Sequence, residues 1–243
     1  MRIDKALVSA GFTEAPTQTV KRLILSVSGL EKQGKTAFAL TAPGPIALFD
    51  SDMGTEGVVE RFAKEKEIIR FDARVPHTPD DAEELWSQTE NAFYVALQSD
   101  DIRTLVFDTA TEIWELLRLS KFGKLTQVMP YHYGPVNALY RKMIREVYKS
   151  DKNLILLHKM KPLYINDKRT RDYERSGFGD TGFLVQANTR VSRDMEDEGD
   201  FCIEIIDSRH KAEMAGEVLT GPMCSFPMLA SVLMDDTGPS DWE

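Results

Sequence analysis

Gly29-Leu30-Glu31-Lys32-Gln33-Gly34-Lys35-Thr36 has the spacing G-x-x-x-x-G-K-[ST] of a phosphate-binding loop. The apolar β-type run Leu23-Ile24-Leu25-Ser26-Val27-Ser28 precedes it, and Ala37-Phe38-Ala39-Leu40, which can continue as a helix, follows. Strand, glycine loop and helix is the order that this chemistry needs. Glycines let backbone N–H groups turn inward around a polyphosphate, and the start of the helix adds partial positive charge. Residues 29 to 37 are therefore the expected nucleotide cradle, with Lys35 reaching the β- and γ-phosphates and the hydroxyl of Thr36 on Mg²⁺. Average residue usage would produce this spacing by chance in roughly one chain in a hundred of this length, and the flanking strand and helix lower that further.

Strand and helix patterns alternate downstream of the loop. Pro45 to Asp50 is a strand entered through the turn Pro43-Gly44, and Glu67 to Phe71 is a weaker one. Thr78-Pro79-Asp80-Asp81 reads as an N-cap, a first-turn proline and early acids, and positions 82, 85, 86, 89, 93, 96 and 97 keep helical spacing after it. Arg103 to Asp108 is a short apolar strand ending in an acid. Thr109-Ala110-Thr111-Glu112 then has the form of a capping box, and Gly134-Pro135 opens a further helix. Asn153 to His158 is the next buried strand. The expectation is an α/β domain with a mainly parallel central sheet covered by helices on both faces.

The last third changes character. Lys159 to Gly182 is polar and basic, a long loop or a small hairpin excursion, whereas Thr189 to Met195 and Phe201 to Asp207 alternate as strands around the acidic turn 196–200. These two predict a C-terminal antiparallel hairpin at the sheet edge. Residues 1–20 read as an extended lead-in, 21–234 as the domain, and 235–243 as a mobile acidic tail.

The chain has 243 residues, 42% of them hydrophobic, which is ordinary for one substantial α/β domain. No apolar run approaches a membrane span, and Met1-Arg-Ile-Asp-Lys lacks the apolar core of a secretory signal, so a cytoplasmic protein is expected. Cys202 and Cys224 are far apart and suggest neither a disulfide framework nor a zinc site. The net charge of −9 argues against a surface coated in basic residues, although cations gather at 141–149 and 159–175.

A phosphate loop only binds; hydrolysis also needs a carboxylate near Mg²⁺ and a group to orient water. Asp108 is the metal-side candidate, because a parallel strand delivers its last side chain to the edge where the loop lies. An acidic helix cap is the alternative reading of the same residue. Asp50 and Asp52 follow the next strand, and alternation puts them on one side, so either could face the γ-phosphate; Asp52 is favoured as water activator, with Asp50 or Glu56 as substitutes. His158 closes its strand and is a candidate sensor of the γ-phosphate. His77, His132 and His210 show no metal-ligand spacing.

Taken in order, Gly29 to Thr36, Phe49-Asp50-Ser51-Asp52, Leu105-Val106-Phe107-Asp108-Thr109 and Leu156-Leu157-His158 resemble the RecA-like branch of P-loop ATPases, over roughly residues 22 to 221. Asp52 stands where that branch usually has a glutamate. Spacing and length look most like the small phage-encoded RecA-like ATPases, some of which assist single-strand annealing or recombination. The resemblance implies ATP and Mg²⁺, assembly into a homo-oligomer, and a bacterial or phage-infected host cell. It also implies that Arg209 and Lys211 act in trans on a neighbour's γ-phosphate. A DNA-binding loop falls on the segment carrying Lys159, Lys161, Lys168, Arg169, Arg171 and Arg175 with Tyr164, Tyr173 and Phe178, a mixture that suits single strands. A single-strand-binding or recombination protein is the further partner it suggests. Two other readings stay open: a small-molecule or nucleotide kinase using 159–182 as a lid, and a nucleotide-gated DNA-binding module without efficient hydrolysis. No [NT]-K-x-D signature of guanine recognition ends a strand.

Overall fold

In the computed structural model, residues 4–16, 19–76, 78–123, 128–194 and 199–243 are described. In chain order the strands are β1 (Ile24–Ser28), β2 (Ile46–Asp50), β3 (Ile68–Asp72), β4 (Thr104–Asp108), β5 (Asn153–His158), β6 (Met160–Ile165), β7 (Lys168–Arg175), β8 (Ala187–Arg193), β9 (Phe201–Ser208) and β10 (Val218–Thr220). The α-helices are α1 (Lys5–Ser9), α2 (Lys35–Leu40), α3 (Val59–Phe62), α4 (Pro79–Gln98), α5 (Ala110–Phe122), α6 (Tyr133–Val147), α7 (Thr181–Leu184) and α8 (Phe226–Leu233).

Eight strands form one sheet in the order β10-β9-β8-β1-β5-β4-β2-β3. β8, β1, β5, β4, β2 and β3 run parallel, and β9 and β10 add antiparallel pairs at one side. Both the parallel sheet and the C-terminal hairpin at its edge agree with the sequence reading. β1, β2, β4 and β5 are buried along their whole length, as continuous apolar runs require when both faces are covered. Alternation divides their side chains between two cores. Ile24, Leu154 and Leu156 meet α4, α5 and α6 through Trp86, Phe93, Ile113 and Tyr140. Leu25, Val27, Ile155 and Leu157 meet α2 and α8 through Phe38, Leu40, Phe226 and Leu233.

Because these strands are parallel, the turns after β1, β2, β4 and β5 all open on one edge, here called the carboxyl edge. The segment after β5 is the hairpin alternative rather than a loop: β6 and β7 pair antiparallel as a separate two-stranded sheet. Asn166 and Asp167, with φ of 50° and 60°, form its two-residue turn, a left-handed pair that these residue types tolerate.

Two terminal expectations are corrected. The lead-in is not wholly extended, since Lys5–Ser9 is a helical turn capped by Asp4 on the Ala6 N–H; residues 1–3 and 17–18 lie outside the described residues. The tail expected to be mobile ends in a 3-10 turn at Pro239–Trp242 with Trp242 2% exposed, its ring 6.1 Å from that of Phe226. Asp241 pairs with Lys21 at 2.7 Å. A tryptophan carries enough apolar area to hold a short acidic segment down. Met195 at the end of the expected strand, positions 196–198 of the acidic turn, and His77 lie outside the described residues. Among the described residues no helix is long and apolar enough to cross a membrane.

Candidate functional site

The phosphate loop joins β1 to α2 under the start of β9. Gly34 has φ +90°, and a Cβ there would come within 2.6 Å of the Phe201 ring. A Cβ on Gly29 would come within 2.9 Å of the Val191 carbonyl oxygen of β8. Both glycines are thus required by backbone shape or close approach. Lys35 Nζ donates to the Gly29 carbonyl at 3.0 Å and the Leu30 carbonyl at 2.7 Å. Burial holds its pKa below the usual value, against the pull of Asp108 and Asp52.

Thr36 Oγ1 donates to Asp108 Oδ2 at 2.6 Å, so the loop hydroxyl and the acid ending β4 meet. Asp108 is 2% exposed, and burial pushes its carboxyl up to about 6, with the charges of Asp52 and Asp50 adding and the Thr36 bond opposing. Ser51 fixes the turn beneath it. Its N–H donates to the Asp108 carbonyl at 2.7 Å, and its Oγ accepts from the Thr109 N–H at 2.7 Å. Thr36 and Asp108 offer two hard oxygen donors suited to Mg²⁺, which would draw its remaining ligands from phosphate and water. Among the described residues no group of three or more His, Cys, Asp or Glu side chains could hold a metal without such help.

The paired reading of Asp50 and Asp52 divides. β2 ends at Asp50, so alternation stops there. Asp50 is buried and builds the turn, accepting from the Met53 N–H at 3.1 Å and from Thr55 Oγ1 at 2.6 Å. Asp52 lies beyond it, accepting from the Gly54 N–H at 3.0 Å through Oδ1, with Oδ2 3.4 Å from Lys159 Nζ. That ion pair brings it to the cluster, where its charge acts on Lys35 and Asp108 as well as on Lys159. Glu56 is exposed.

His158 does not reach the phosphate side. It shares the parity of Leu154 and Leu156, so it faces away from the α2 core. The ring is fully buried, with Nδ1 3.1 Å from the Ser176 carbonyl and Nε2 without a partner among the described residues. Burial, reinforced by Arg175, lowers its pKa to about 3, so it is neutral. The residue that does reach the site is the next one. Lys159 Nζ lies 2.6 Å from Glu112 Oε1 as well as near Asp52. Burial opposes its charge, but these carboxylates raise its pKa overall.

The sequence pattern gives neither Glu112 nor Ser51 a role in the site, and it groups Lys159 with the DNA-binding cations. Glu112 looked like half of a capping box, and Thr109 does cap α5 by accepting from the Glu112 N–H at 3.3 Å. The reciprocal half is missing because Ser51 already takes the Thr109 N–H, leaving the Glu112 carboxylate to Lys159. The available signal was Lys159 directly after β5 and Glu112 in the first turn of α5, charges that follow adjacent parallel strands.

The hairpin divides the expected DNA-binding residues. Lys168 and Arg171 are exposed, Lys161 pairs with Glu174 at 3.2 Å, and Arg169 donates to the Tyr173 hydroxyl at 3.3 Å. Tyr164 near the tip is 60% exposed. Arg175 instead anchors the hairpin, donating to Ser26 Oγ at 3.2 Å and Asn188 Oδ1 at 3.0 Å. Phe178 is core rather than a stacking surface, 3% exposed against Trp114 and Tyr140.

Arg209 and Lys211 fall at the opposite edge of the sheet from Lys35. β9 runs antiparallel to β8, so Phe201 opposite Arg193 is at the carboxyl edge and Ser208 opposite Ala187 is at the amino edge. Arg209 donates to the Phe183 carbonyl and the Tyr148 hydroxyl, and Lys211 pairs with Asp235 at 3.1 Å. The structure does not bring them to this chain's own phosphate loop. A cavity of about 400 Å³ does adjoin the loop, lined in part by Gly34, Ala37, Thr41, Arg61 and Phe201.

A family described as an AAA domain matches residues 21–218. Among solved structures, the KaiC-like protein PH0186 from the hyperthermophilic archaeon Pyrococcus horikoshii OT3 is similar at 14% identity and a TM-score of 0.47, over 82% of this chain and 84% of that one. No curated protein matches.

Proposed function

The chain belongs to the AAA domain family that spans its residues 21–218, and from that premise we propose that it is a Mg²⁺-dependent ATPase whose turnover is coupled to single-stranded DNA. The observation that carries the ATPase reading is the 2.6 Å bond between Thr36 and Asp108, formed beside Lys35. Lys35 would bind the β- and γ-phosphates, and Thr36 and Asp108 would hold the metal. Bound Mg²⁺ supplies charge neutralisation on the phosphate oxygens. Asp52 orients the attacking water and accepts its proton as the γ-phosphoryl leaves ADP. The cavity beside Gly34, with the Phe201 ring as one wall, would take the base and sugar.

The DNA part rests on the hairpin and on the sequence resemblance. Lys168, Arg169 and Arg171 follow phosphates while Tyr164 stacks on a base, in a protein of recombination, annealing or replication. Arg209 and Lys211 lie away from their own loop, and the sequence resemblance assigns them to the γ-phosphate of a neighbouring subunit in a homo-oligomer. Phosphate release from ATP, measured with and without single-stranded DNA, tests both parts. DNA is expected to stimulate turnover, and reversing Lys168, Arg169 and Arg171 to Glu to weaken DNA binding by about tenfold or more. No turnover under either condition would sink the ATPase; turnover indifferent to DNA would remove the hairpin's role.

A further inference from the structure

Two ammonium groups converge on the same acid cluster, and each is parked on protein oxygens. Lys35 rests on the Gly29 and Leu30 carbonyls, and Lys159 on Glu112 at 2.6 Å and Asp52 at 3.4 Å. They are close enough that Lys159 lowers the pKa of Lys35, and Asp52 acts on both. The backbone of Lys159 is held on both sides: its N–H donates to Thr111 Oγ1 at 3.1 Å, and its carbonyl accepts from the Ser176 N–H at 2.8 Å. A fixed backbone with a flexible four-carbon stem lets the ammonium change partners without moving the strand.

We propose that Lys159, and not His158, reads the γ-phosphate of ATP. Without that phosphate the ammonium stays on Glu112 and Asp52. The γ-phosphate, lying one phosphate beyond the end of ADP, competes with those carboxylates for the ammonium and draws it away, leaving Asp52 free to orient water. ADP lacks the competing group, so the pairs persist. An exposed ion pair alone would contribute little; here its members are the water-orienting acid and a group that senses the phosphate lysine. Lys159 also precedes the hairpin strand by one residue, with β6 starting at Met160, so the ammonium's choice of partner is made at the hairpin's root. This inference rests on the ATPase reading above.

The test compares affinities for a non-hydrolysable ATP analogue and for ADP, with Mg²⁺, in wild type, Lys159→Ala, Lys159→Arg and Glu112→Gln. Lys159→Ala is expected to lose about tenfold in preference for the ATP analogue over ADP, and Lys159→Arg to restore part of it by keeping the charge. Glu112→Gln, which loosens the parked ammonium without removing it, is expected to raise the preference. An unchanged preference in Lys159→Ala, or a lowered one in Glu112→Gln, overturns the proposal, and the second variant decides the matter if the first does not fold. Wild type that binds neither nucleotide overturns the ATPase reading and this inference with it. Wild type that binds both, with variants equal to it, overturns this inference alone.

Discussion

The amino edge and the carboxyl edge of the sheet both hold buried polar groups, but they use them differently. At the amino edge Lys152 donates to the Ser99 carbonyl at 2.5 Å and the Ile102 carbonyl at 2.7 Å. Asn153 Oδ1 accepts from the Leu23 N–H and Gln186 Oε1 from the Ile24 N–H, both at 2.8 Å. Each of these closes a backbone group at or beside the end of a strand or helix, which is structural work with little left over. At the carboxyl edge Asp108 is ionisable, buried and pushed up to about 6, and its nearest partner is a hydroxyl. Charge is held there at a cost that a cation or a polyphosphate complex can relieve. The contrast separates a site from a scaffold that residue types alone would not distinguish.

The largest effect that would break this contrast is on turnover. Lys35→Ala is expected to lower ATP hydrolysis by about 10²–10³-fold, as removal of a preorganised electrostatic contact does. Its thermal midpoint should stay near that of wild type, since the ammonium closes only loop carbonyls. Phosphate release within a few-fold of wild type would put Lys35 with the scaffold lysines.

Next comes pH. In the nucleotide-free protein Asp108 titrates near 6 instead of 3.8. Its contribution to stability is therefore fully present below about pH 4 and lost as pH rises through about 6, a swing of about 3 kcal/mol. Asp108→Asn should gain on wild type by up to that amount between about pH 4 and about pH 7, read by urea unfolding. A gap independent of pH would mean that Asp108 titrates as an ordinary surface acid. His158 works in the opposite sense: its folded pKa of about 3 lies below 6.5, so its contribution is present above about pH 6.5 and lost as pH falls through about 3.

The smallest effect sharpens the other side. Lys152→Met removes two bonds from a side chain that is 7% exposed and leaves the Ser99 and Ile102 carbonyls unpaired. It should cost about 1–3 kcal/mol in urea unfolding. ATP affinity should not move. A loss of affinity without loss of stability would show that the amino edge communicates with the site.

Much of the fold was legible because its signals are local. β5 was read to the residue at Asn153–His158, and α4 from its cap at Thr78, because an apolar run and a proline-led first turn depend on neighbours only. The site was legible where it hung on strand ends, as with Asp108. It failed where a side chain's use depended on a distant competitor. Glu112 left its capping role because Ser51, some sixty residues earlier in sequence and hydrogen-bonded to Thr109, took the donor. Trp242 left the solvent because Phe226 offered it a surface.

By itself the sequence determined the phosphate loop from Gly29 to Thr36, the alternation of strands and helices, and an acid at the end of β4. Glycine spacing and hydrophobic period are properties of a few consecutive residues. Only the tertiary structure decided that Asp52 joins the cluster while Asp50 builds a turn, that Lys159 faces it while His158 is buried behind, and that Arg209 and Lys211 lie at the far edge. Those outcomes depend on strand direction and on contacts such as Thr36 with Asp108, 72 residues apart, which no local pattern encodes.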